Sequence, residues 1–307
     1  MEIRLPESRI ASRRDFVKTA IGAGALGAIA QGGAVAAPAA KLRFGLATYE
    51  WGRDWDIPTI IANLTKTKVR GVELKTLIKY ANGKEEKYPH GVELELGRKE
   101  RTEVRKRFAG SPVTLVSLAT SEHFPWPEPE KEKAAVEATK QYLQLSHDVG
   151  SRCVRVLPNG WLPDVPHEKT LEQIADALNQ VGGVAADLGQ EVALEAHSAP
   201  GTLPNMRFVM DRVKHRSVRI RLNSEERNTV NPGFEEQFAL VRDCISFTMH
   251  VHNLKGSKYP YQLVINVLTR AGWDGWAFLE VSEKIPERVA ALAEQREIWE
   301  RMVAAAA

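Results

Sequence analysis

The sequence predicts one (β/α)8 TIM barrel, and three observations carry the prediction. Short apolar runs alternate with segments of helical period eight times along the chain. Such alternation means crossover units and a parallel sheet. The repeating part spans about 270 residues, enough for a single large core. Ionisable residues also recur at the C-terminal ends of the apolar runs, where a barrel of this kind opens its catalytic mouth. A doubly wound open sheet is the alternative. It is disfavoured because no glycine-rich dinucleotide fingerprint follows the first strand.

The elements read in order as follows. Leu42–Thr48 is a strand, followed by a helix around Pro58–Thr65. Val69–Leu74 is the second strand. Thr76 to Gly97 fits no unit and reads as an insertion, with a small hairpin at Asn82-Gly83 and a charged, solvated run at Lys84–Lys87. Val113–Ala119 is the third strand, and a long amphipathic helix runs from about Pro129 to Val149, stopping at Gly150. Cys153–Leu157 leads to a helix from about Thr170 to Leu188, with Gly189 as its stop. Val192–Ala196, Val218–Leu222, Ser246–Val251 and Trp276–Glu280 complete the strands. Helices near Pro204–Val213, Phe234–Val241, Tyr261–Arg270 and Pro286–Met302 follow them in turn. The barrel domain is expected over residues 41–303.

Residues 1–36 stand apart. Ser12-Arg13-Arg14-Asp15-Phe16-Val17-Lys18, a Gly/Ala run and Ala34-Val35-Ala36 read in order as a twin-arginine export signal with its cleavage site. The expected location is therefore periplasmic or otherwise exported, with the twin-arginine translocase as a transient partner. No later segment is long and apolar enough for stable membrane insertion. Of 42 Lys/Arg and 39 Asp/Glu, five and three lie in residues 1–36, which leaves the remainder at a formal +1. A near-neutral body argues against nonspecific nucleic-acid binding. Cys153 and Cys244 are too few for a disulfide framework and read as small buried hydrophobes.

The stretch Val192–Ser198, VALEAHS, locates the candidate chemistry. Alternation puts Ala193, Glu195 and His197 on one face of the strand. Other strand ends carry Glu73, Glu122-His123, Asn159, Asn223-Ser224-Glu225, His250, His252, Lys255 and Glu280. Ionisable groups are seldom buried without partners, so a set recurring at the strand ends points to a shared site. Glu195, His252 and Glu280 together offer oxygen and imidazole ligands suited to Mn, Co, Mg, Fe or Zn. The alternative is that each pairs with a neighbouring Lys or Arg without metal. Trp51, Trp55, Trp126 and Trp161 are aromatics near the mouth, for sugar stacking or for packing. His90, His147, His167 and His215 read as ordinary.

From about Lys41 onward the chain resembles the xylose-isomerase-like TIM barrels, the sugar phosphate isomerase/epimerase group. The residues that carry the resemblance are Gly71-Val72-Glu73-Leu74, Ala193-Leu194-Glu195-Ala196-His197, Leu222-Asn223-Ser224, His250-Val251-His252 and Gly275–Glu280. The resemblance implies one metal held by Glu195, the Asn223 position, His252 and Glu280, with Asn223 standing where the family has aspartate. It further implies proton abstraction next to a sugar carbonyl by Glu195 and Glu280, in an isomerase, an epimerase or a lyase. Glu73, His123, Asn159, His197, His250 and Lys255 would then contact substrate. Export points to an unphosphorylated or keto-sugar. The competing functions are a non-catalytic or metal-free sugar-binding barrel and, more remotely, a nuclease of the endonuclease IV type.

Overall fold

The computed structural model describes residues 42–79 and 84–306. The expected export signal and the turn expected at Asn82-Gly83 lie outside the described residues. The strands are β1 (Arg43–Ala47), β2 (Gly71–Lys75), β3 (Ile78–Lys79), β4 (Glu85–Glu86), β5 (Thr114–His123), β6 (Cys153–Leu157), β7 (Glu191–Glu195), β8 (Val218–Leu222), β9 (Ile245–Val251) and β10 (Trp276–Leu279). Eight of them close a barrel in the order β1-β2-β5-β6-β7-β8-β9-β10, and β10 returns to β1. All the barrel pairings are parallel. The helices are α1 (Ile57–Lys66), α2 (Arg98–Ala109), α3 (Pro129–Val149), α4 (His167–Asp187), α5 (Leu203–Met210), α6 (Phe234–Val241), α7 (Tyr261–Arg270) and α8 (Arg288–Ala304).

Local signals set the element ends. The Asp56 side chain caps α1 by accepting from Thr59 N at 2.9 Å, and Pro58 suits its first turn. Gly150 ends α3 at φ 86°, a left-handed conformation that costs glycine little. Helix α4 begins at His167, one turn before the expected Thr170.

Helix α2 has no counterpart in the expectation. Its sequence RKERTEVRKRFA buries only Val104 and Phe108, so it carries almost no apolar period. Glu100 reaches back to accept from Gly97 N, which starts the helix without a hydrophobic signal. The insertion after β2 does hold the expected hairpin, since β3 and β4 pair antiparallel. The charged run there is not free loop: Glu86 in β4 pairs with Arg53 at 2.5 Å.

Side chains alternate across the barrel wall. The outward set, including Val72, Leu74, Val154, Val156, Val192, Leu194, Ile220 and Leu222, packs with helix residues such as Leu64, Ile174, Leu178 and Leu268 in one continuous core. The interior differs. Its lower part is filled by Trp276 and Phe278 with Ala47 and Val116. Gly45 and Gly71 make room for them: a Cβ would lie 2.5 Å from the Phe278 ring at Gly45 and 2.3 Å from the Trp276 ring at Gly71. Both cysteines are free and buried, as their apolar settings implied. No helix among the described residues is long and apolar enough to cross a membrane.

Candidate active site

Above Phe278 the interior opens into a cavity of about 680 Å³ at the C-terminal ends of the strands. Lys75, Arg155, Glu195, His197, His252 and Glu280 line it, among others. Each follows from alternation: Lys75 sits two residues beyond Glu73, Arg155 two beyond Cys153, and Glu280 two beyond Phe278.

A chain of buried ion pairs forms the floor. Glu73 is fully buried, with one oxygen bonded to Arg221 and the other 2.7 Å from His250 Nε2. His250 Nδ1 lies 3.2 Å from Glu195 Oε1 and 3.2 Å from Glu280 Oε2. Asn223 Nδ2 donates to Glu195 Oε1 at 2.5 Å. Arg155 Nε stands 3.0 Å from Glu195 Oε2, out of line for a hydrogen bond, so that oxygen has charge compensation but no donor. Arg155 is steadied by Nη1 donating to Thr120 O at 2.8 Å.

The electrostatics follow from these contacts. Burial alone would raise the carboxyl of Glu73, but Arg221 and His250 hold it well below the usual carboxylate range. For Glu195, burial is likewise overcome by His250 and Arg155. Burial and Arg221 both press His250 down, yet Glu280, Glu195 and Glu73 outweigh them and lift it to about 9. Lys75 goes the other way, pushed by burial and Arg155 to about 7. Its ammonium donates to Ser121 Oγ at 2.8 Å and Ala119 O at 3.2 Å. On the cavity wall, His197 Nδ1 meets Glu225 Oε1 at 2.7 Å, which raises the imidazole against burial.

Five of the expected residues therefore share the cavity: Glu195, His197, His252, Lys255 and Glu280. The others are placed differently. Glu73 and His250 do not contact substrate space, because both side chains are sealed beneath the floor at 0 % exposure. His123 turns away: its Nδ1 is held by Ser121 O at 2.8 Å, and it borders a separate smaller cavity with Glu93 and Tyr142. Asn159 is exposed in a left-handed turn, φ 60°, outside the cavity lining. Asn223 spends its Oδ1 on Ser224 N at 2.6 Å. Glu225, the carboxylate nearest to a substitute for it, is committed to His197 and Arg227. Lys255 reaches only the rim, where its ammonium pairs with Glu294 at 2.8 Å.

None of Trp51, Trp55, Trp126 and Trp161 lines the cavity. Trp51 and Trp55 are core residues, and Trp161 stacks on His167. His90, read as ordinary, is buried and structural: Nε2 meets Lys75 O at 2.9 Å and Nδ1 accepts from Val92 N at 3.1 Å.

Sequence reasoning missed Lys75, Arg155 and Arg221. A signal existed in each case. A basic residue interrupts the apolar runs CVRVL and VRIRL, and GVELK places Lys75 on the face of Glu73.

The expected metal can be tested against this donor set. Ligand atoms of Glu195, His250 and Glu280 lie within 4.8 Å of one another, a spacing that could surround an ion. The set is not the expected one, since His250 stands in it in place of His252. The chemistry of the donors does not fit. Both nitrogens of His250 face carboxylates and so act as donors, with no lone pair left for an ion. Guanidinium Arg155 already neutralises the buried Oε2 of Glu195.

A closed parallel barrel with a polar mouth at its strand ends defines the class. The chain belongs to the xylose isomerase-like TIM barrel family, whose profile matches residues 66–302. No curated protein matches the chain by sequence. Among solved structures, it is similar to an L-ribulose 3-epimerase, with TM-score 0.70 and 13 % identity over 86 % of this chain and 95 % of that one. The D-psicose 3-epimerase of Clostridium cellulolyticum H10, solved with D-tagatose, gives 0.66 and 14 % over 85 % and 94 %. The 3-keto-D-glucoside 4-epimerase of E. coli gives 0.66 and 14 % over 85 % and 99 %. At these identities the likeness establishes the fold.

Proposed function

We propose that the chain is an isomerase- or epimerase-like enzyme that moves a proton at the carbon beside the carbonyl of an unphosphorylated sugar or keto-sugar. The observation that carries this reading is the Glu195–Glu280 pair on the floor of one cavity, with Glu195 Oε2 lacking any hydrogen-bond donor. The neighbouring positive charges keep Glu195 ionised and able to accept a proton. In the proposed step a proton leaves carbon for the Glu195 carboxylate. The C–H electron pair becomes the C=C bond of an enediolate, and the carbonyl oxygen takes the negative charge. A proton taken up from solvent through the cavity is returned to carbon by way of Glu280, and Glu195 releases its own proton to solvent before the next turnover. Return to the same carbon inverts it; return to its neighbour, with the hydroxyl proton passing to the former carbonyl oxygen, isomerises the sugar. His197 and His252 on the wall are placed to bind sugar hydroxyls.

The family membership and the epimerases among the structural relatives support this class of reaction. The twin-arginine signal supports export, and with it a sugar without phosphate. A sugar-binding barrel without turnover is the second reading. It is favoured by the three partners, Asn223, His250 and Arg155, already gathered on Glu195. The deciding experiment follows deuterium wash-in from D2O by NMR across a panel of ketoses and 3-keto-glycosides, beside Glu195→Gln and Glu280→Gln. Exchange that falls about 10²–10⁴-fold in either variant is expected. Saturable sugar binding with no exchange in the wild type would replace this reading with the second one.

A further inference from the structure

The cavity floor is electrically complete without an added ion. Three carboxylates (Glu73, Glu195 and Glu280) are interleaved with two guanidiniums (Arg155 and Arg221), the imidazole of His250 and the amine of Lys75. The guanidiniums are permanent charges at any working pH. Arg221 is fully buried and bonded to Glu73. Arg155 is 5 % exposed and lines the cavity, its Nε 3.0 Å from Glu195 Oε2. Lys75 lines the same cavity at 4 % exposure. A divalent ion seated on Glu195 and Glu280 would stand against Arg155 in a low-dielectric pocket, where like charges repel strongly. The neutral amide of Asn223 fits the same logic. It donates to Glu195 and adds no negative charge that a metal would require.

We propose that the cation of this site is Arg155, backed by Lys75. Its guanidinium takes the place beside Glu195 that a divalent ion would occupy, and the protein neither holds nor needs such an ion. The part of this inference that concerns a sugar oxygen rests on the function proposed above: Arg155 and Lys75 would then be the donors that meet the enediolate oxygen as charge develops on it. The part that concerns metal stands apart from any activity and is tested apart from it.

The test is a titration of Co²⁺ and Mn²⁺ into wild type, Arg155→Gln, Asn223→Asp and the double variant. It is read by visible absorbance of cobalt, by melting temperature and by elemental analysis of protein purified without chelator. Wild type is expected to be substoichiometric in metal and to melt at the same temperature with metal or chelator. Asn223→Asp alone is expected to gain nothing while Arg155 remains. Arg155→Gln, and more so the double variant, is expected to bind Co²⁺ about 10-fold tighter or better, with a matching rise in melting temperature. A stoichiometric ion in wild type that is lost in Glu280→Gln overturns the proposal. So does metal binding by Asn223→Asp with Arg155 in place, an arm that remains decisive even if Arg155→Gln does not fold. Failure to find proton exchange with any sugar would remove the catalytic reading and leave the metal result intact.

Discussion

The two halves of the barrel interior solve the same packing problem with opposite chemistry. The lower half is built around two rings: Trp276 and Phe278 occupy it, glycine faces each ring where a Cβ would collide, and a small polar cluster of Glu191, Ser246 and Thr248 lies at the same level. The upper half holds Glu73, Arg221, His250, Glu195 and Arg155, with Phe278 as the boundary and the Arg221 guanidinium 5.7 Å from its ring centre. The fit of ring against glycine marks the lower half, and a chain of paired charges marks the upper. A shape error strains neighbours locally, whereas a charge error leaves a partner stranded in low dielectric. The upper half is therefore the more fragile per atom changed, and it is also the half that opens to the cavity.

The sharpest way to break this contrast is Arg221→Met, which leaves Glu73 with one partner. A loss of about 3–5 kcal/mol by urea denaturation is expected, and Glu73→Gln on top of it should restore part of that loss. In the lower half, Gly71→Ala forces a Cβ into the Trp276 ring and is expected to cost about 1–3 kcal/mol. Trimming the ring with Trp276→Leu should recover some of it in the double variant. A subtler probe sits beneath Lys75. Burial pushes His90 down to about 4, and its Nδ1 accepts from Val92 N. Its folded value lies below its unfolded one, so the neutral ring stabilises the fold fully above about pH 6.5. That contribution is lost as pH falls toward 4. Melting curves of wild type against His90→Asn should run parallel above pH 7, with the wild type losing ground between pH 6.5 and 4. The smallest effect belongs to the rim: Lys255→Ala breaks an exposed pair with Glu294 and is expected to change stability by less than about 1 kcal/mol.

The outward half of every strand was legible because burial against helices leaves unbroken apolar runs. Seven of the eight barrel helices announced themselves by period or caps. Helix α2 did not, because a helix can be held by capping and two anchors while the rest of its surface stays charged. Within the site, Glu195 and Glu280 were legible as carboxylates ending apolar strands. The two histidines at the end of β9, His250 and His252, were not separable. Alternation puts His250 and His252 on one face, but only the closed barrel shows that one rung lies under the floor and the next in the cavity wall. Arg155 and Arg221 escaped notice because an arginine inside a strand reads as a surface break. Its burial depends on carboxylates contributed by other strands.

Those partners also lie far apart along the chain. Glu73 meets Arg221 across 148 residues and His250 across 177. Strands β1 to β6 bring Glu73, Lys75 and Arg155 to the interior, while β7 to β10 bring Glu195, Arg221, His250 and Glu280. A nascent chain emerging from the ribosome thus holds its first acid without a counterion until more than half the barrel has been synthesised. Neither half can bury its inner face in isolation. Closing the ring and neutralising its charges are therefore coupled.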